Sequence, residues 1–283
     1  MCGIAGYCLN SKEHNSNQTG LTAQMLLDIE HRGQHATGAA WINAATGNRV
    51  ISKAAMSASK FIKTKTGRRA CLDATTAILH TRFATKGTPQ VNQNNHPIPR
   101  GKIVLTHNGH VNNDRELFKE LKVKRHAQVD SEAIAALIAF GDAPIVELLP
   151  RLQGTAALAW IEQGRSNTLH LARVNSSPLW IGQTRTGSLV YGSTRETILN
   201  AAVMLDTSLD WEHSADEGEY FKVRNGKILD YLKFTPHRTP AIKYNWRKYS
   251  PLYTETGDMW QQWDNGEWDS KTEHSGYYDT HLF

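Results

Sequence analysis

The sequence predicts an α+β fold in which mixed sheets pack between helical layers. Three observations carry this reading. Short apolar or alternating runs outnumber helical repeats. The connections between those runs are short. Neither GxGxxG nor GxxxxGK[ST] occurs, so a doubly wound nucleotide-binding sheet fits less well.

Each element has its own signal. Residues 3–9 (GIAGYCL) read as a buried strand, and residues 10–18 as a polar loop. Leu21, Met25, Leu26 and Ile29 recur at helical spacing and mark a helix ending near His31-Arg32-Gly33. Residues 37–42 are a strand of mostly small residues, and 50–56 are a second candidate. Residues 76–79 form a strand whose C-terminal end delivers His80, Thr81 and Arg82. Residues 103–106 read as a short strand broken by Asn108-Gly109. Residues 112–121 and 131–140 are helical, the latter with Ile134, Leu137 and Ile138 on one face. Residues 155–161 and 169–174 alternate as paired strands; 179–182 and 189–191 continue the sheet; 195–199 open a helix. Residues 220–223, Asn225-Gly226 and 228–232 make the clearest hairpin, because Asn-Gly suits a type I′ turn.

Composition bounds the function. A chain of 283 residues accommodates one large domain with an appendage. We assign residues 1–235 to the domain and 236–283 to a Trp/Tyr-rich extension. The extension carries Trp246, Trp260, Trp263 and Trp268, aromatic anchors for wrapping the domain or meeting another chain. No run approaches the roughly 20 apolar residues of a membrane span, so no membrane association is expected. The N-terminus lacks a basic region followed by an apolar core. The cysteines are Cys2, Cys8 and Cys71, an odd number without CxxC, which argues against a disulfide framework. A cytoplasmic location follows as the expectation. The net charge of +5 is concentrated in Arg49, Lys53, Lys60, Lys63, Lys65, Arg68 and Arg69, with no acid among them. A solvated face is the expected reading of this stretch; Phe61 is its one aromatic, which argues against stacking on nucleic-acid bases.

Cys2 is the residue that points to chemistry. Removal of Met1 leaves a thiol and a free α-amine on one residue. Unperturbed, these titrate near ~8.5 and ~7.7–8.0, so both are usable around neutral pH. A nucleophile served by its own terminal amine is an established catalytic solution.

Five stretches follow in order: Cys2-Gly3-Ile4-Ala5-Gly6; His31-Arg32-Gly33 with Gly38; residues 80–87 (HTRFATKG); His107-Asn108-Gly109 with Asn112; and Asp130-Ser131-Glu132. Together they resemble the class II glutamine amidotransferase domain, the branch of the Ntn-hydrolase fold with an N-terminal cysteine nucleophile. Weaker echoes continue to about residue 232, in Ala172-Arg173, Ser177-Pro178-Leu179 and Tyr191-Gly192-Ser193. The resemblance implies a four-layer αββα sandwich of two mostly antiparallel sheets. It implies hydrolysis of the glutamine side-chain amide through a Cys2 thioester. Asn108 and Gly109 would form the oxyanion hole. Arg82 would bind the α-carboxylate and Asp130 the α-ammonium, while Thr85 and Gly87 line the glutamine loop. Arg32, Gly33 and His107 would support the site. The polar stretch 88–97 reads as a lid. No cofactor is implied. His80, His96 and His107 lack metal-ligand spacing and an acidic partner motif, so no metal is expected.

The sequence departs from the family pattern where His35 stands at a usually acidic position and Phe83 where Trp or Tyr is common. No synthase-sized segment follows the domain, so the expected arrangement passes ammonia to a separate synthase subunit. A hydrolase or transferase for another γ-glutamyl compound is the alternative enzyme class. A non-catalytic binding module on the same fold is the third reading; the intact Cys2, Arg82, Asn108, Gly109 and Asp130 argue against it.

Overall fold

Runs of strands and helices follow one another along the chain in the computed structural model, which describes residues 1–13, 17–162, 164 and 168–238. The tail from residue 239, where the Trp-rich extension was expected, lies outside the described residues. The strands are β1 (Gly3–Cys8), β2 (Ala36–Asn43), β3 (Arg49–Ala54), β4 (Ala74–Arg82), β5 (Ile98–Arg100), β6 (Ile103–Val111), β7 (Gly154–Glu162), β8 (Thr168–Arg173), β9 (Trp180–Thr184), β10 (Leu189–Gly192), β11 (Leu209–Ser214), β12 (Glu219–Arg224) and β13 (Lys227–Lys233). The helices are α1 (Gln18–Asp28), α2 (Ala58–Phe61), α3 (Asp114–Leu121), α4 (Ser131–Phe140), α5 (Ile145–Leu148) and α6 (Arg195–Met204).

Two antiparallel sheets result, in the orders β11-β9-β10-β1-β4-β2-β3 and β13-β12-β8-β7-β6-β5. Alternation decides which side chains meet. Ile4, Ala40, Ile42 and Ile78 of the first sheet pack on Val104, Ala157, Ala159, Leu171 and Val223 of the second. The opposite face of the first sheet offers Ala5, Tyr7, Ala39 and Leu79 to Leu21, Met25, Leu26 and Ile198 of α1 and α6. The outer face of the second offers Leu105, Leu158 and Trp160 to Leu117, Ile134, Leu137 and Leu148 of α3, α4 and α5. The layers are therefore αββα, as the motifs implied.

Local chemistry explains the details. Asn17 caps α1 by accepting from the Gly20 amide at 2.8 Å. Asn225 and Gly226 both take positive φ, 49° and 75°, which closes the β12–β13 hairpin in the expected turn. Strand β6 is not broken at Asn108-Gly109; pairing with β7 continues through Asn108↔Ala157, Gly109↔Ala156 and Val111↔Gly154. Strand β4 likewise runs on through His80 and Arg82. Strands β5 and β11 and the short helices α2 and α5 had no counterpart in the sequence reading.

Candidate active site

Sheet register brings the motifs together. Gly3 of β1 pairs with Thr81 of β4, so Cys2, one residue earlier, lies at the level of Arg82. Strand β6 of the opposing sheet carries His107, Asn108 and Gly109 to the same end. The His80 ring Nε2 donates to the His107 carbonyl at 3.1 Å and ties the two sheets together there. A narrow pocket at this end is lined by Cys2, Arg82, Phe83, Thr85, Lys86, His96, His107, Gly109, Val129, Asp130 and Ser131.

The nucleophile candidate is held from two sides. Arg32 Nε donates to the Cys2 carbonyl at 3.0 Å, and the Cys2 Sγ lies 3.6 Å from the Phe83 carbonyl oxygen. Gly33 permits the close approach of this corner: a Cβ there would lie 2.4 Å from the Arg82 carbonyl carbon. Burial pushes the Cys2 thiol above its ordinary value, opposed by the Phe83 backbone, the terminal ammonium and Arg82. Cys8 and Cys71 are fully buried, and burial pushes the Cys71 thiol up to about 12. Cys2 is thus the one of the three thiols that is not fully buried, and it is flanked by cations.

Asn108 is 2% exposed, and its Nδ2 is buried with no hydrogen-bond partner among the described residues. Gly109 has φ +143°, and a Cβ there would lie 2.0 Å from the Thr155 carbonyl oxygen. The strand can therefore present a bare backbone at this point only with glycine. An unpaired amide donor next to an unobstructed backbone is what an oxyanion site requires.

Arg82 is 2% exposed, and its guanidinium is held by neutral oxygens. Nη1 donates to Asn95 Oδ1 at 2.7 Å, and Nη2 donates to the carbonyls of Lys86 and Gly87, at 2.5 and 2.7 Å. No acidic side chain forms an ion pair with it among the described residues. Gly87 does not line the pocket; its carbonyl orients Arg82, and its φ of +68° makes that turn. Asp130 occupies the position that opens α4, yet its side chain makes no capping hydrogen bond. Its Oδ2 instead accepts from the Val111 amide at 2.7 Å and lies 3.6 Å from His110 Nδ1. Glu132 of the same motif is scaffold: it pairs with Arg100 at 3.0 Å and accepts from the His126 amide at 2.9 Å.

His80, His96 and His107 are packing groups. His80 and His96 stack with centroids 4.0 Å apart. Burial drives the His80 ring down to about 3 and His96 well below its ordinary range. His107 donates through Nε2 to the Thr155 carbonyl at 3.3 Å and accepts at Nδ1 from Ser131 Oγ at 2.9 Å. His35, at the position where an acid is usual, accepts the Ala84 amide at 2.9 Å and stacks on Phe83.

The segment expected as a lid divides in two. Asn94, Asn95 and His96 are buried; Asn94 Nδ2 donates to the Thr88 carbonyl and Asn95 Nδ2 to the Pro89 carbonyl. Only residues up to 93 remain on the surface. Lys53 of β3 anchors the buried half, donating to the carbonyls of Asn95 at 2.6 Å and Pro97 at 3.0 Å. Burial, with Arg82 nearby, lowers the Lys53 amine to about 8. The sequence reading placed Lys53 on a solvated face and Asn95 in a surface lid; instead Lys53 anchors the loop and Asn95 holds Arg82, and the pairing of β2 with β3 is what brings Lys53 there.

Comparison with known proteins bears on the family. Residues 80–200 match a family model described as a glutamine amidotransferase domain. The glutamine–fructose-6-phosphate aminotransferase of Caulobacter vibrioides is 36% identical over 203 residues, covering 68% of this chain and 32% of the relative. That of Pyrococcus horikoshii is 32% identical over 240 residues, covering 80% and 38%. The chain thus spans about a third of the length of the curated relatives it matches. Among solved structures, the glutamine phosphoribosylpyrophosphate amidotransferase of B. subtilis superposes with a TM-score of 0.66 at 20% identity, over 83% of this chain and 49% of that one. At that identity the superposition speaks for the fold. Fold, site and sequence relatives together make this a class II glutamine amidotransferase domain, related to the corresponding domains of those enzymes.

Proposed function

We propose that the protein hydrolyses the side-chain amide of glutamine to glutamate and ammonia, and that the ammonia serves a coupled synthase. The observation that carries this is one pocket lined by Cys2, Arg82, Gly109 and Asp130, with the unpaired Asn108 amide beside it. Removal of Met1, which is exposed, frees the Cys2 α-amine. That amine takes the thiol proton, and the thiolate attacks the amide carbon. The tetrahedral oxyanion accepts from Asn108 Nδ2 and the Gly109 N–H. Collapse expels ammonia, with the proton returned from the α-amine, and leaves a γ-glutamyl thioester. Water then releases glutamate and regenerates the thiol.

The substrate end is a zwitterion, and the pocket has a matching pair of charges. The buried Arg82 fork meets the α-carboxylate and Asp130 meets the α-ammonium. Thr85 lines the glutamine loop. Arg32, Gly33, Gly87 and His107 hold these groups in position through the contacts above. The consuming synthase is a separate subunit in this reading, and the protein works in the cytoplasm. Among the described residues no helix is long and apolar enough to cross a membrane.

The test is incubation of purified protein with glutamine, other γ-glutamyl amides and γ-glutamyl peptides, with glutamate and ammonia quantified. Glutamine should be the preferred substrate. Intact mass should show loss of Met1, and Cys2→Ser should keep the fold while losing most turnover. Full activity with Met1 retained would sink the mechanism. High turnover on a γ-glutamyl peptide by a partner-free monomer would replace glutamine as the substrate.

A further inference from the structure

The two charges proposed to grip the substrate come from different layers of the fold. Arg82 ends β4 in the first sheet, whereas Asp130 opens α4, which packs on the outer face of the second. Both side chains line one pocket, yet they form no salt bridge with each other among the described residues. Opposite charges sharing a pocket attract, and more strongly away from water. Each must therefore be held on its own side by other groups.

Two consecutive asparagines bond to both sides. Asn94 and Asn95 are fully buried. Asn95 Oδ1 accepts from Arg82 Nη1 at 2.7 Å. Asn94 Oδ1 accepts from the Gln128 amide at 2.8 Å, and its Nδ2 donates to Gln128 Oε1 at 3.0 Å. Gln128 stands two residues before Asp130. Each side chain is oriented by a further bond: Asn95 Nδ2 donates to the Pro89 carbonyl at 2.7 Å, and Asn94 Nδ2 to the Thr88 carbonyl at 3.1 Å. A carbonyl only accepts and a guanidinium only donates, so Asn95 fits one way round. The pair is pinned to the first sheet. Lys53 of β3 donates to the Asn95 carbonyl, and a Cβ on Gly38 of β2 would lie 2.2 Å from the His96 carbonyl oxygen.

The chemistry of the pair matters as much as its place. Both side chains are neutral, so they brace the grip without cancelling a charge that the substrate needs. The change Asn95→Asp would put a carboxylate on Arg82, in competition with that of the substrate. A shift of either support would alter the spacing of the two charges, and a two-point grip on a small ligand is sensitive to that spacing. We infer that Asn94 and Asn95 are positioning residues that select the α-amino-acid end of the substrate, Asn95 acting through Arg82 and Asn94 through the segment that carries Asp130. These roles rest on the glutamine reading of the same site.

The experiment uses the full chain and separates the two halves of the grip. Glutamine turnover is measured against two competing amides. Glutaramate keeps the carboxylate and lacks the α-ammonium; 4-aminobutanamide keeps the ammonium and lacks the carboxylate. Asn95→Ala should raise the KM for glutamine and the inhibition constant of glutaramate by about tenfold, and leave that of 4-aminobutanamide within about twofold, since a bond to a charged group is lost on one side only. Asn94→Ala should weaken 4-aminobutanamide more than glutaramate. In both variants kcat should change less than KM. A merely structural role would weaken both amides alike, and that result overturns the inference, as does an unchanged KM in both variants. Asn95→Asp keeps the side-chain shape and carries the test if Asn95→Ala does not fold: it should weaken glutaramate by about tenfold or more and spare 4-aminobutanamide. Protection of Cys2 from alkylation by glutamine is followed in the parent protein. A parent that neither turns glutamine over nor shows protection overturns the glutamine reading and this inference with it. A parent that does both, with variants that fail to separate the two amides, overturns this inference alone.

Discussion

Replacing Asn108 with alanine separates the proposed catalytic role of this residue from any structural one. Among the described residues its Nδ2 has no protein acceptor. Donating to an oxyanion therefore breaks no existing hydrogen bond. The side chain is 2% exposed, so water does not compete for the donor. One such donor lost typically costs about 2.7–4 kcal/mol of transition-state stabilisation, which is about 100- to 1000-fold in kcat. The same facts bound the stability effect. Alanine leaves no protein acceptor of Nδ2 stranded, and a buried orphan donor is itself costly, by about 1–3 kcal/mol. Loss of that cost offsets the small cavity, so we expect a stability change within about 1 kcal/mol, or about 2–4 °C in melting temperature. The assay is steady-state ammonia release across glutamine concentrations, beside a thermal melt of the same preparation. The expected signature is a collapsed kcat, a nearly constant KM and a nearly constant Tm. A kcat within threefold of the parent would refute the oxyanion assignment. A Tm lowered by tens of degrees would mean that Asn108 is a structural residue and that its unpaired amide has been misread.

Other perturbations follow from the same geometry. Gly109→Ala should fail differently, because its Cβ would meet the Thr155 carbonyl oxygen at 2.0 Å; a loss of more than about 2 kcal/mol in urea melts is expected, along with activity. Arg82→Lys keeps the charge but loses the fork, and should raise the KM for glutamine while the rate of Cys2 alkylation changes little; equal loss in both assays would point to a misfolded site. Asp130→Asn keeps an oxygen for the Val111 amide and should likewise raise KM, whereas Asp130→Ala should also lower Tm. Lys53 makes a pH prediction: its amine is lowered from an ordinary 10.5 to about 8, so the unfolded chain binds the proton more tightly between those values. Stability from this group then rises as pH rises through that window, and Lys53→Met should flatten the rise in urea midpoints measured across it.

Most of this architecture was legible in the sequence because it is written in alternation and in turn chemistry. The β12–β13 hairpin is an example, with Asn225-Gly226 at positive φ where the dipeptide predicted it. The missed strands lack such signals. Strand β11 alternates half-buried with exposed residues and is an edge strand defined by its pairing with β9. Strand β6 was cut short because glycine ordinarily interrupts a strand; here its neighbour β7 supplies partners on through Val111. In the site, Cys2, Arg82, Gly109 and Asp130 could be named from motifs, and they do line one pocket. The groups beneath them could not. Lys53 and Asn95 act on the site through a carbonyl and a side-chain oxygen, roles that leave no residue-type pattern.

The thiol of Cys2 stands at the head of one sheet, and Asn108 and Gly109 stand in a strand of the other. In the proposed mechanism, the thickness of the apolar layer between the sheets then helps to set the gap between the attacking thiol and the oxyanion donors. Ile4, Ile78, Val104 and Ala157 act as a spacer, and trimming a methyl from that layer is a way of retuning the attack distance from far outside the pocket. Selection on those buried side chains then acts on rate as well as on folding.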